Sequence, residues 1–136
     1  MTLTDAGPLI ALIDAGEPEH ERVRAALDEL ALPLVTTWPA FTEAIYLLGR
    51  AAGWPGQEAL WRMIERDLLA VAELSGGLPA RAATLMLTYR DHPMDFADAT
   101  LVAVAEETGA HLIFSLDSDF RSYRLRGGRH LDVIPA

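Results

Sequence analysis

The stretch MDFADATLVAVAEETGAHLIFSLDSDF, residues 94–120, decides how the chain is read. Asp95 to Thr108 is a helix that is apolar on nearly every side, and Gly109 supplies its C-terminal stop. His111 to Leu116 (HLIFSL) is a strand by its branched and aromatic content, and it runs directly into the acidic turn of Asp117 and Asp119. An all-round apolar helix leading into an apolar strand is half of a parallel crossover, with a sheet covered on both faces.

The same alternation continues on both sides. Met1 to Thr4 is a short strand ending at Asp5, Gly7 to Ala15 a short apolar helix stopped by Gly16, and Pro18 to Leu30 an amphipathic helix with acids in its first turn. Leu34 to Trp38 is a strand, and Pro39 opens a helix to Ala52 that Gly53 ends. Pro55 to Arg66 is helical, Leu68 to Leu74 a third strand, Pro79 to Arg90 helical again, and Leu131 to Pro135 a last edge strand. Strands separated by helices imply right-handed crossovers and a three-layer α/β/α domain with a mainly parallel sheet of four to five strands. At 136 residues with no linker, residues 1–136 are expected to form a single domain.

Composition removes several function classes. The absence of Cys excludes disulfide frameworks, thiolate zinc sites and Cys nucleophiles. All eleven basic residues are Arg, and without Lys there is no P-loop, Schiff-base or lysine-assisted phosphoryl site. No apolar run is long enough to span a membrane, and no basic and then apolar leader follows Met1, so a cytoplasmic protein without membrane contact is expected. The net charge of −9 argues, as a bulk figure, against a purely electrostatic nucleic-acid binder.

In open parallel sheets ligands bind beyond the carboxyl ends of the strands, where the strand order reverses. Acids occupy those positions here. Asp5 follows the first strand, Glu43 lies one turn into the helix after the second, Asp117 and Asp119 follow the fourth, and Asp98 sits in the first turn of the preceding helix. Carboxylates gathered in one crevice repel one another unless a cation neutralises them, and oxygen-only donors favour Mg²⁺ or Mn²⁺. Each acid has an ordinary reading beside this one. Asp95 serves well as a helix N-cap, whereas Asp98 shares a stripe with Leu101, Val102 and Ala105 and is read first as a ligand. Glu43, in isolation, reads equally as a solvated side chain. Asp117 and Asp119 read also as turn and cap residues, with Asp119 the better cap.

The segments LTDAGPLIALID at the N-terminus, FTEAIYLL around residue 43 and MDFADATLVAVAEETGAHLIFSLDSDF together resemble the PIN-domain family, in particular the VapC-like toxin ribonucleases of type II toxin–antitoxin pairs. The resemblance implies the PIN fold and a site of four acids, Asp5, Glu43, Asp98 and Asp117, holding Mg²⁺ or Mn²⁺ for hydrolysis of single-stranded RNA. It implies Asp119 or Asp95 as auxiliary ligands. Ala6 and Gly7 stand where many members carry small hydroxyl residues, which puts one supporting hydrogen bond to Asp5 in question. The alternative is a non-catalytic nucleic-acid-binding or regulatory module on the same fold. Phosphatase chemistry would suit the same acids but lacks a phosphate-binding loop.

Arg121, Arg124, Arg126 and Arg129 fall within nine residues directly after the Asp117 turn, with Tyr123 among them. Guanidinium and aromatic groups suit single-stranded RNA, and a solvated loop is the equal alternative. The apolar helices Gly7–Ala15 and Pro39–Ala52, with Trp38, Trp54 and Trp61, leave a surplus that a homodimer or an antitoxin would cover.

Overall fold

The computed structural model describes residues 1–92 and 94–136. Five strands, β1 (Thr2–Thr4), β2 (Leu34–Thr36), β3 (Leu69–Val71), β4 (Leu112–Phe114) and β5 (Asp132–Ile134), form one sheet in the order β3-β2-β1-β4-β5. All four pairings are parallel, with Leu3 opposite both Val35 and Ile113. The helices are α1 (Ala6–Ile13), α2 (His20–Leu27), α3 (Trp38–Glu65), α4 (Leu78–Thr88) and α5 (Phe96–Thr108). This is the three-layer α/β arrangement expected from the alternation of elements.

The period of two along each strand divides the core. Leu34, Leu69 and Phe114 point to the layer of α1, α2 and α3, where they meet Leu9, Val23, Phe41 and Leu48. Leu3 and Ile113 point the other way, to α4 and α5, where Leu85, Leu101 and Val104 fill the space. Helix α5 is sandwiched between the sheet and α4, so Ala97 through Ala105 is buried without interruption. That burial explains its all-round apolar composition and leaves Asp98 as the one charged side chain in the stretch.

Several element ends differ from the sequence reading. β2 stops at Thr36, because Thr37 is the N-cap of α3 and Trp38 and Pro39 form its first turn. β3 is three residues and not seven: its one neighbour, β2, ends at Thr36, whose carbonyl still takes the Ala72 N–H at 2.8 Å. The two expected helices around Gly53 are the halves of α3, hinged where Gly53 adopts φ 65°, ψ −159°. Across the hinge Gln57 Nε2 donates to the Ile45 carbonyl at 3.0 Å.

The strand order reverses between β1 and β4. Their carboxyl ends, and the N-terminal ends of α1, α3 and α5, therefore face one crevice.

Candidate active site

Asp5 extends β1 by one residue, its N–H donating to the Phe114 carbonyl at 3.0 Å. Its carboxylate then caps α1, with Oδ1 accepting the Ala6 N–H at 2.8 Å. The hydroxyl absent from Ala6 and Gly7 is supplied from the neighbouring strand: Ser115 Oγ donates to Asp5 Oδ2 at 3.2 Å and accepts the Asp117 N–H at 3.0 Å. One side chain thus links the acid after β1 to the acid after β4.

Asp117 caps the 3-10 turn Ser118–Arg121, accepting the Asp119 N–H on Oδ1 at 2.9 Å. The cap is therefore Asp117 and not Asp119, whose carboxylate lies 3.2 Å from His92 Nε2. Asp95 is the N-cap of α5, as its position implied, and its Oδ1 accepts the Asp98 N–H at 2.8 Å. Asp98 is 6% exposed. Glu43 projects from α3 toward the same crevice, where Asp95 and Asp117 act on its charge.

The electrostatics of this cluster are one-sided. Burial, above all, pushes the Asp5 carboxyl up to about 6, with Glu43 and Asp95 adding to the rise and the hydrogen bonds from Ala6 and Ser115 opposing it. Burial likewise pushes Asp98 up to about 8, against the hydrogen bond from Tyr123 and with the charges of Asp95, Asp5 and Asp117. Burial, and then the charges of Asp95 and Asp117, raise Glu43. The charges acting on all three are carboxylates, and what relieves Asp5 and Asp98 is neutral donors together with the N-terminal ends of α1 and α5. A one-sided negative field at Asp5, Glu43 and Asp98, offered by oxygen donors, fits a hard divalent cation. Among the described residues no three acidic or histidine side chains already converge at ligating distance, so the fit rests on donor chemistry and field.

Buried hydroxyls support the crevice from beneath. Thr36 Oγ1 donates to the Thr4 carbonyl at 2.9 Å, and the hydroxyls of Thr37 and Thr100 are 2.8 Å apart, with Thr100 donating to the Ala97 carbonyl at 2.7 Å. These threonines join β1, β2, α3 and α5 at the level of the acids. Sequence spacing did not single them out, because what brings them together is the β1–β2 register and the passage of α5 beside it.

The basic segment divides. Arg121 lines a small hollow with Ser115 and Asp117, beside the acids. Arg124 turns its Nη1 back to the carbonyls of Arg121 and Tyr123. Arg126 and Arg129 line a different cavity, near the C-terminal end of α5. Tyr123, expected to stack on bases, has no exposed surface. Its ring packs edge-on against Tyr89 and Phe120, at 5.1 and 5.3 Å between centroids, and its hydroxyl donates to Asp98 Oδ2 at 2.8 Å. The 3-10 turn after β4 folds the chain back over α5 and carries this ring inward, so it offers no face to a base. The aromatic surplus on α3 stays at the surface, with Trp38, Tyr46, Trp54 and Trp61 all exposed.

Comparison with known proteins agrees with this architecture. Ribonuclease VapC26 of Mycobacterium tuberculosis is 29% identical over 134 residues, spanning 98% of this chain and 99% of that protein. The crystal structure of Mycobacterium tuberculosis VapC20, a toxin that cleaves the sarcin-ricin loop, superposes with a TM-score of 0.82 at 20% identity, covering 90% of this chain and 94% of that one. VapBC2 from Rickettsia felis, solved bound to a DNA fragment from its promoter, shares the fold at a TM-score of 0.67 and 9% identity over 97% of both chains. The family model for the PIN domain matches residues 2–125, and the chain belongs to the PIN-domain family.

Proposed function

We propose that this protein is a Mg²⁺- or Mn²⁺-dependent endoribonuclease acting on single-stranded RNA, the toxin of a cytoplasmic toxin–antitoxin pair. The observation that carries this reading is the crevice at the β1/β4 switch point, where burial and repulsion from neighbouring carboxylates raise Asp5, Glu43 and Asp98 and, among the described residues, the charges that shift them are all carboxylates. Asp5, Glu43, Asp98 and Asp117 are the residues that would hold the ion, with Asp95 and Asp119 at its margin. A divalent ion held there would supply a water of lowered pKa and neutralise charge at the phosphate.

The chain's own groups then have distinct parts. Ser115 and the Ala6 N–H hold the Asp5 carboxylate in place, and Tyr123 and Asp95 hold Asp98. Arg121, which shares a hollow with Asp117, would meet a phosphate of the strand. The exposed aromatics of α3 would be covered by a second copy of the chain or by the antitoxin. The names of the relatives, a ribonuclease and a toxin, support this assignment.

The experiment is a Mn²⁺ titration of the wild type, Asp5→Asn and Asp98→Asn against a mixed single-stranded RNA pool. Cleavage in the wild type with loss in both folded variants is expected. Full activity in both variants would sink the site assignment, and RNA binding without cleavage or metal affinity in the wild type would replace the enzyme with a binding module.

A further inference from the structure

A cavity of about 370 Å³ lies between the N-terminal end of α4 and the C-terminal end of α5, lined by Arg81, Glu106, Glu107, Arg126 and Arg129 among others. Asp98 and Glu106 are eight residues apart on α5, about 12 Å along the helix axis. The cavity is therefore separate from the acidic crevice.

Its charges are not all available. Glu106 grips Arg81 through two bonds, Nε to Oε1 at 2.6 Å and Nη2 to Oε2 at 2.8 Å, and its Oε2 also accepts the Arg126 N–H at 2.6 Å. Glu106 offsets Arg81 first and the Arg126 side chain in part, and it doubles as the anchor of the Arg126–Arg129 turn. Gly127 and Gly128, at φ 82° and 81°, let that turn close, with the Leu125 N–H donating to the Arg129 carbonyl at 2.7 Å. The closed turn brings Arg126 and Arg129 to one cavity. Both are exposed, and among the described residues neither guanidinium forms a close ion pair, the nearest acid acting on Arg126 being Glu106, already held by Arg81. Glu107, which accepts from the Ser75 hydroxyl, is the remaining acid of the lining.

We propose that this cavity is a second RNA contact, in which Arg126 and Arg129 hold a backbone phosphate of the strand at a distance from the cleavage site. In a chain of net charge −9 the distinguishing feature is that two exposed guanidiniums line one cavity on a turn closed by its own backbone, and the planar fork of a guanidinium matches a phosphodiester. The chain between the two sites carries Arg121 and Arg124, so the basic residues continue from Asp117 toward the cavity. The contact extends the ribonuclease reading, on which it rests: short strands would engage the acidic crevice alone, and longer ones would reach both.

The test is binding of a fluorescein-labelled 12-nucleotide oligouridylate in EDTA, where no cleavage occurs, across a salt series. Arg126→Ala/Arg129→Ala is compared with Arg62→Ala/Arg66→Ala, which removes the same charge from the C-terminal end of α3. The cavity variant is expected to bind at least tenfold more weakly, with a slope of log affinity on log salt shallower by about 0.7 for one phosphate. The α3 variant should stay within about twofold of wild type. Glu107→Gln, which leaves the turn intact, should tighten binding. Equal weakening in the two double variants, no weakening in the cavity variant, or no tightening in Glu107→Gln overturns the proposal. So does a wild type that ignores the oligonucleotide but binds a polyglutamate peptide through these arginines, which assigns the cavity to an acidic protein. A wild type that cleaves RNA while the cavity variant binds normally leaves the ribonuclease reading standing, whereas a wild type that neither binds nor cleaves RNA removes that reading itself.

Discussion

The phenol of Tyr123 donates to Oδ2 of Asp98 across 2.8 Å, inside a wall formed by Tyr89 and Phe120. It joins a residue of the loop after β4 to the acid at the start of α5. Because Oδ2 is engaged, Oδ1 is the oxygen free to face the crevice, and the carboxylate cannot rotate without breaking a buried bond. Tyr123→Phe keeps the packing and removes the donor. Mn²⁺ affinity, read by electron paramagnetic resonance of the free ion, should fall by about tenfold, with a loss of about 1–2 kcal/mol in stability. Unchanged affinity would show that the bond serves folding alone.

Ser115 makes a comparable link between Asp5 and Asp117. Ser115→Ala should weaken Mn²⁺ binding by roughly tenfold, and Ser115→Thr, which retains the hydroxyl, should restore it. Isothermal titration of both variants checks this, and failure of the Thr variant to recover would assign the loss to packing.

The raised carboxyls make metal-free stability depend on pH in an unusual direction. An acid whose folded value lies above its unfolded one binds more protons when folded, so stability is greatest below the unfolded value near 3.8 and declines as pH rises toward the folded value. For Asp5 and Asp98 the window runs from about 4 to about 6 and about 8. In EDTA the melting temperature should fall between pH 5 and pH 8, and saturating Mn²⁺ should recover it at pH 8. Asp98→Asn, which removes the larger of these titrations, should be more stable than wild type at pH 8 without metal. A wild type that grows more stable toward pH 8 in EDTA would contradict the unbalanced field of the crevice.

The hinge in α3 rests on one residue. Gly53 holds φ 65°, ψ −159°, a combination that L side chains rarely adopt, and Gly56 packs so closely that an added Cβ would lie 2.9 Å from Ala52 Cβ. Gly53→Ala should cost about 1–3 kcal/mol in chemical denaturation. A neutral result would mean that the two halves of α3 can re-orient at no cost.

The three-layer fold was legible because its signals are local. The apolar helix and strand of residues 94–120, the Pro and Gly punctuation around α3, and the acids following the strands all lie within short windows, and hydrophobic period and cap chemistry act over that range. The limits of β2 and β3 were not legible, since β2 gives way to the N-cap of α3 at Thr37 and the edge strand β3 ends where its neighbour β2 ends, which depends on register. Asp95 as a cap could be read from spacing alone, and Asp117 displaced Asp119 as a cap only because of the path the chain takes off β4.

Tyr123 marks the boundary most clearly. Its place in an arginine-rich segment reads as an exposed aromatic, and nothing within ten residues of it in sequence reveals Asp98, which is twenty-five positions away. The sequence by itself determined the layers, the elements and which carboxylates stand at strand ends, because propensity and periodicity are short-range properties. Only the tertiary structure decided that those carboxylates share one field, that Ser115 and Tyr123 support them, and that the arginines divide between two places, because charge interaction, burial and hydrogen bonding depend on distances that chain connectivity alone does not specify.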